Sequence, residues 1–178
     1  ATISNNRFLD NEGDVITLRG SGSGDSITIT ISNNTIVRND GHGIVNAGGS
    51  EGFTINITNN FIADNDGTAV MSSGSTLPAI NIRYNRIHNN EGKLYLSSPG
   101  ALVLQDKSTG ESGEQDTIEY NTVTSGTSTS PLIGPESSNP IGDPLVRYNN
   151  FIHTSRMPTP SRSSPGAEPY MVFASGNL

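Results

Sequence analysis

Three tyrosines, Tyr84, Tyr120 and Tyr148, occupy the same place in three related stretches, "RYNRI", "EYNTV" and "RYNNF". Arg83, Glu119 and Arg147 precede them, and Arg86 follows the first. Aromatic rings held at a fixed repeat offer flat faces to sugar rings, and the arginines suit an acidic glycan. The same register permits a second outcome. The rings can stack on one another as a surface ladder, worth from a fraction of a kcal/mol to ~1 kcal/mol each. His42, His88 and His153 fall at different places relative to the surrounding pattern and predict no shared metal site. The absence of Cys excludes disulfides and thiolate metal or redox sites.

The tyrosines belong to a larger repetition. "ATISNNRFLDNEGDVI" from Ala1 recurs as "ITISNNTIVRNDGHGI" from Ile29, "INITNNFIADNDGTAV" from Ile55 and "INIRYNRIHNNEGKLY" from Ile80. Looser copies follow, "DTIEYNTVTSG" from Asp116 and "PLVRYNNFIHT" from Pro144. Every copy fits [IV]-x-x-N-x-[FIV], and its Asn column is Asn6, Asn34, Asn60, Asn85, Asn121 and Asn149. The first four copies add N-[DE]-G, in which Asn39 and its equivalents open a turn.

Within a repeat the apolar residues alternate, as at Ile27, Ile29 and Ile31. β-branched residues at period two, broken by glycines, predict strands rather than helices. Each repeat reads as strand, Asn turn, short strand, N-x-G turn, short strand and variable loop. Three short strands cannot bury an apolar face alone, so the repeats must stack, each strand on its equivalent roughly 4.8 Å away. A buried Asn at a corner then bonds the Asn of the next coil and satisfies backbone groups that otherwise cost ~1–3 kcal/mol each. Asn also tolerates positive φ. Asn33, one residue before the ladder, is expected to accept Ala almost silently.

With 178 residues the chain fits one domain. A net charge of −7 with only two lysines excludes the basic footprint of a nucleic-acid binder. No apolar run approaches the ~20 residues of a membrane span. Only 31% of the chain is hydrophobic, but the apolar residues are patterned, which argues against disorder.

The repeated blocks resemble the parallel β-helix repeats of the pectate-lyase-like superfamily. The resemblance is strong over 1–96 and weaker over 116–153. It implies an all-β, right-handed parallel β-helix with three sheets, about six to seven coils and an Asn ladder. The superfamily includes lyases, glycosidases, epimerases, adhesins and phage tailspikes, so fold alone does not choose an activity. A lyase would imply a cleft on the third sheet, with Ca²⁺ as cofactor held by carboxylates and a basic side chain abstracting a proton. Candidates of the right types are Asp10, Asp14 and Asp64 for the metal and Arg19, Arg38 and His42 for catalysis. Asp14, His42, Thr68 and Lys93 share one repeat position, and Asp10, Arg38 and Asp64 share another. A solvated β-helix surface has the same composition.

The regularity breaks toward the C-terminus. Insertions are expected at 97–115, where "ALVLQ" has the composition of an added strand, and at 125–144, in place of an N-x-G turn and a third strand. A Pro/Ser-rich segment and a terminal strand at Met171–Ala174 fill 154–178, the former suited to capping the helix end. A coil or cap is expected before Ala1. Two readings of function follow. One is a non-catalytic, secreted or cell-surface β-helix, adhesin- or appendage-like, binding a glycan through Tyr84, Tyr120, Tyr148, Arg83, Arg86 and Arg147, or a protein partner, with end-to-end stacking on neighbouring coils. It has no cofactor. The other is a polysaccharide lyase, or part of one, acting on an acidic glycan.

Overall fold

The computed structural model describes residues 1–20, 27–47, 53–72, 78–90, 102–104, 117–125, 133–135 and 145–153. Coil one comprises β1 (Thr2–Ser4), β2 (Arg7–Leu9) and β3 (Ile16–Leu18). Coil two comprises β4 (Ile27–Ser32), β5 (Thr35–Val37) and β6 (Ile44–Asn46). Coil three follows with β7 (Phe53–Thr58), β8 (Phe61–Ala63) and β9 (Val70–Ser72). Coil four has β10 (Ala79–Arg83), β11 (Arg86–His88) and β12 (Leu102–Leu104). Coil five has β13 (Thr117–Glu119), β14 (Thr122–Ser125) and β15 (Ile133–Pro135). Coil six contributes β16 (Leu145–Arg147) and β17 (Asn150–His153). The strands form three parallel sheets, β1-β4-β7-β10-β13-β16, β2-β5-β8-β11-β14-β17 and β3-β6-β9-β12-β15. The described strands thus reach six coils. The strand expected at Met171–Ala174, the proposed cap, Lys93 and Leu94–Leu96 lie outside the described residues.

Equivalent residues pair without slippage, for example Ile29 with Ile55 and Ile31 with Ile57. The inward residues therefore stack like upon like. Ile31, Ile36, Ile57, Ile62, Ile82, Ile87 and Ile118 are all fully buried in one core. In the third sheet Ile16, Ile44 and Val70 join that core, while Val45 and Met71 form a separate small cluster. Alternation puts those two on the opposite face. Two strands lie where insertions are expected. β12 at Leu102–Leu104 pairs with β9, so "ALVLQ" supplies the fourth coil's third strand rather than an added one. β15 at Ile133–Pro135 pairs with β12, so the fifth coil keeps a third strand within 125–144. Backbone pairing can proceed at both places despite irregular side chains and loop lengths.

The corner between the first two sheets carries the ladder. The Nδ2 of each Asn donates to Oδ1 of the next along Asn6, Asn34, Asn60, Asn85, Asn121 and Asn149, at 2.9–3.1 Å. That same Oδ1 also accepts the preceding rung's backbone N–H, as Asn60 does from Asn34 at 2.9 Å. The second Nδ2 proton goes to a strand carbonyl, Ile3 O for Asn34 at 3.0 Å. An inner rung thus fills all four side-chain hydrogen-bonding positions.

Asn39 does more than open a turn. With Asn11, Asn65 and Asn90 it builds a second ladder, whose Nδ2-to-Oδ1 bonds are all 2.7 Å. The positive φ expected of ladder asparagines belongs instead to the residue before each. Asn5, Asn33, Asn59, Tyr84, Tyr120 and Tyr148 lie at φ 55–60° before the first ladder, and Asp10, Arg38, Asp64 and Asn89 at 50–55° before the second. Beside the second ladder the chain packs backbone on backbone. A Cβ on Gly41 would lie 2.1 Å from the Gly13 carbonyl carbon, so only Gly fits.

Candidate functional site

The tyrosines occupy the left-handed corner in coils four to six, where coils one to three have asparagines. A left-handed residue at a corner turns its side chain out of both adjoining sheets, and the three tyrosines are 56%, 45% and 68% exposed in chain order. They stack face to face. Tyr84 and Tyr120 have centroids 5.0 Å apart and planes 7° apart, and Tyr120 and Tyr148 follow at 5.1 Å and 15°. Each ring covers its neighbour's face. Flat faces for sugar stacking are therefore not what this column presents along its length. It presents a comb of ring edges and hydroxyls, one coil apart.

Two sets of charged side chains flank the comb. On the first sheet, Arg83, Glu119 and Arg147 are in register. Glu119 is 3% exposed and lies between the two arginines, 3.1 Å from Arg83 Nε and hydrogen-bonded by Arg147 Nε. That hydrogen bond holds the Arg147 guanidinium pKa above its ordinary value. Arg147 also lies over the Tyr148 ring, 5.5 Å from its centroid. The carboxylate is hydrogen-bonded by Arg147 and ion-paired with Arg83, whose Nε is buried without a hydrogen bond, so this row acts as a brace beneath the comb.

On the second sheet, Arg86 stands over the Phe61 ring at 5.5 Å. Among the described residues it has no carboxylate partner. Arg86, Tyr84, Tyr120, Thr122, Thr124 and Ile152, together with the ladder residue Asn85, line a shallow, open groove across coils four to six. The threonines and Ile152 went unmarked in the sequence. Their signal is the outward alternation of β14 and β17 next to the tyrosine column, which becomes a surface only once the coils are stacked.

The residues suited to lyase chemistry are placed differently. Arg38 and Asp10 form an exposed bidentate pair, at 2.8 and 2.9 Å. Hydrogen bonding from Arg38 pushes the Asp10 carboxyl below its ordinary pKa, and Asp10 raises that of Arg38. Asp64 accepts from Asn89 Nδ2 at 3.1 Å. Asp14 accepts the His42 backbone N–H at 2.9 Å. Among the described residues no group of three or more His, Asp or Glu side chains could hold a metal ion. Asp10, Asp14 and Asp64 thus do not fit the several converging carboxylates that Ca²⁺ requires.

His42 is buried, and its Nδ1 accepts the Thr68 backbone N–H at 2.8 Å. That bond requires Nδ1 to be unprotonated. Burial pushes the imidazole pKa below its ordinary value, with Asp14 opposing. Asp14, His42 and Thr68 are therefore stacked structural groups. Arg19 is exposed just beyond β3.

A family model described as a right handed beta helix region matches residues 1–157. No curated protein and no solved structure matches the chain. Among the described residues, no helix is long and apolar enough to cross a membrane.

Proposed function

The chain belongs to the right-handed β-helix family, a membership that suggests a carbohydrate-related or surface role in general. On that premise we propose that it is a non-catalytic, secreted or cell-surface module that binds a glycan along the tyrosine side of coils four to six. One observation carries the reading. The left-handed corner holds Asn three times and then Tyr three times, beside a groove. Left-handed backbone is ordinary for Asn and uncommon for bulky residues. Mutual stacking of about 0.5–1.5 kcal/mol per pair offsets part of that cost. The exposed polar edges are left available for a ligand. The lyase reading has less support, because Arg38 is tied to Asp10, and His42 is enclosed in the wall.

The test is a glycan array with the wild type and the triple variant Tyr84→Asn, Tyr120→Asn, Tyr148→Asn. Asn is the natural occupant of this corner in coils one to three, so the variant keeps the backbone unstrained. Loss of the wild-type hits in the variant supports the reading; unchanged binding discards it.

A further inference from the structure

We propose that the tyrosine comb is a site of oxidative cross-linking, at which a peroxide and a peroxidase join Tyr120 covalently to Tyr84 or Tyr148 and so tie neighbouring coils together. The proposal does not rest on the glycan-binding reading, and either can fail without the other. The chain has no Cys, so no disulfide ties one coil to the next. It has no Trp either, so no thiol or indole competes with the phenols for a one-electron oxidant. Of its five tyrosines, three share this one column, and all three are exposed.

The geometry singles these three out. Ring centroids are 5.0 Å apart for Tyr84 and Tyr120 and 5.1 Å for Tyr120 and Tyr148, with planes within 7° and 15° of parallel. Each phenol thus already has another as its neighbour. Arg147, 5.5 Å from the Tyr148 centroid, holds the outer end of the stack. The rings leave left-handed corners one strand spacing apart, roughly 4.8 Å, so rotation about χ1 and χ2 brings two ring edges together with the backbone in place.

The reaction balances on one peroxide per link. One electron and the phenolic proton leave each ring, and the two electrons and two protons reduce hydrogen peroxide to two water molecules. The ring radicals join through one Cε carbon each. The hydrogen on each joined carbon then moves to the phenolic oxygen, which restores both phenols. Proximity selects the partner. A radical on Tyr120 has a second phenol beside it at an effective concentration far above that of any other chain in dilute solution. Each link closes the chain covalently, over 36 positions for Tyr84–Tyr120 and 28 for Tyr120–Tyr148, the separations of the Asn rungs beside them. Closing loops of that length restricts the unfolded chain and stabilises the fold. The Asn corners of coils one to three keep the same backbone and offer no oxidisable ring.

The test is to treat the full chain with a haem peroxidase and limiting hydrogen peroxide, then to measure dityrosine fluorescence, chain size on a denaturing gel and linked peptides by mass spectrometry. The expected product runs as a single chain, has Tyr120 bonded to Tyr84 or Tyr148, and unfolds at a higher urea midpoint than the untreated chain. Tyr120→Phe keeps a ring in the stack but removes the shared phenol. It should lose both links while its circular dichroism stays that of the wild type. Tyr95→Phe, outside the column, should react as the wild type does. Links at Tyr95 or Tyr170 as frequent as those in the comb overturn the proposal, as do covalent dimers as the main product, equal dityrosine in wild type and Tyr120→Phe, or no dityrosine at all. Mapped links that leave the urea midpoint unmoved overturn the tie between coils.

Discussion

Coils one to three and coils four to six use one backbone and two kinds of corner. Both halves run the same Asn ladder at the same spacing, and both hold the preceding residue at φ near 55–60°. In the first half that residue is Asn, which needs no partner to remain there. In the second half it is Tyr, which finds its partners in the coils above and below. The first half adds the Asp14–His42–Thr68 column and most of a second ladder, whose last described rung is Asn90 in coil four. The second half adds the Arg83–Glu119–Arg147 brace and the groove. The early coils spend their polar residues on holding the stack together. The later coils turn some of them outward.

The largest effect should come from breaking what the halves share. Asn60→Leu removes the acceptor for the Asn34 N–H and Nδ2 and the donor to Ile31 O and Asn85 Oδ1, all in buried positions. Buried groups left unpaired cost about 1–3 kcal/mol each, so about 3–5 kcal/mol is expected in urea denaturation followed by circular dichroism. Asn6→Leu, at the exposed end of the same ladder, should lose only about 1 kcal/mol. Equal losses at the two positions would show that the ladder is not cooperative along its length.

Glu119→Gln comes next and touches only the second half. The carboxylate is buried, but the side chains of Arg83 and Arg147 are 41% and 50% exposed, so solvent screens much of the pairing. About 1–2 kcal/mol is expected. The Tyr148 ring, which Arg147 covers, should become more mobile, as read by its aromatic NMR linewidths. An unchanged denaturation midpoint would remove the brace from the account.

Much of the molecule could be read from its sequence, and the reasons are physical. Repetition makes register visible: Asn34 and Asn60 share a column because every coil imposes the same path on the chain. The second ladder was equally present in Asn11, Asn39, Asn65 and Asn90. It was masked by N-[DE]-G also being an ordinary turn sequence, in which Asn has a local use. Residue type cannot tell which of two adjacent asparagines, such as Asn33 and Asn34, takes the left-handed backbone. Only geometry shows that the first takes the strained backbone and the second the hydrogen bonds. β12 is visible in "ALVLQ" as a strand but not in its place in the third sheet, whereas β15 is obscured because strand pairing needs only backbone, which Gly134 and the Pro135 carbonyl supply without a strand-like pattern. Repetition places the tyrosines in one column but does not set how their rings meet. A column sets spacing and leaves ring orientation open, and the 7° stack changes faces into edges.

Exchanging the corners sharpens the contrast further. Tyr120→Asn loses two ring contacts and relieves left-handed strain, for a net loss of about 1 kcal/mol. Asn59→Tyr adds a ring below Tyr84 and should be close to neutral, with near-ultraviolet dichroism showing a longer stack. Asn33→Ala, which a reading by residue type would treat as silent, should cost about 1 kcal/mol because Ala must adopt φ near 55°. A measured cost near zero there would mean that the corner relaxes. The strain argument for the tyrosines would then lose its footing.

The smallest effect is a slope rather than an offset, and it belongs to the first half alone. His42 is neutral in the fold, accepting the Thr68 N–H, and burial holds its pKa below the ordinary 6.5. The unfolded chain binds that proton first as pH falls. The contribution of His42 to stability is therefore complete above about pH 6.5 and is lost as pH drops from there through the depressed folded value. Asn at this position keeps an acceptor for the Thr68 N–H and cannot titrate. Urea midpoints at pH 8 and pH 5.5 should fall more for wild type than for His42→Asn, a window that lies above most carboxylate titration. Parallel falls in the two proteins would mean that His42 stays neutral, or becomes charged, equally in both states. The imidazole would then be a spacer in the wall of the early coils rather than a proton-sensitive rung.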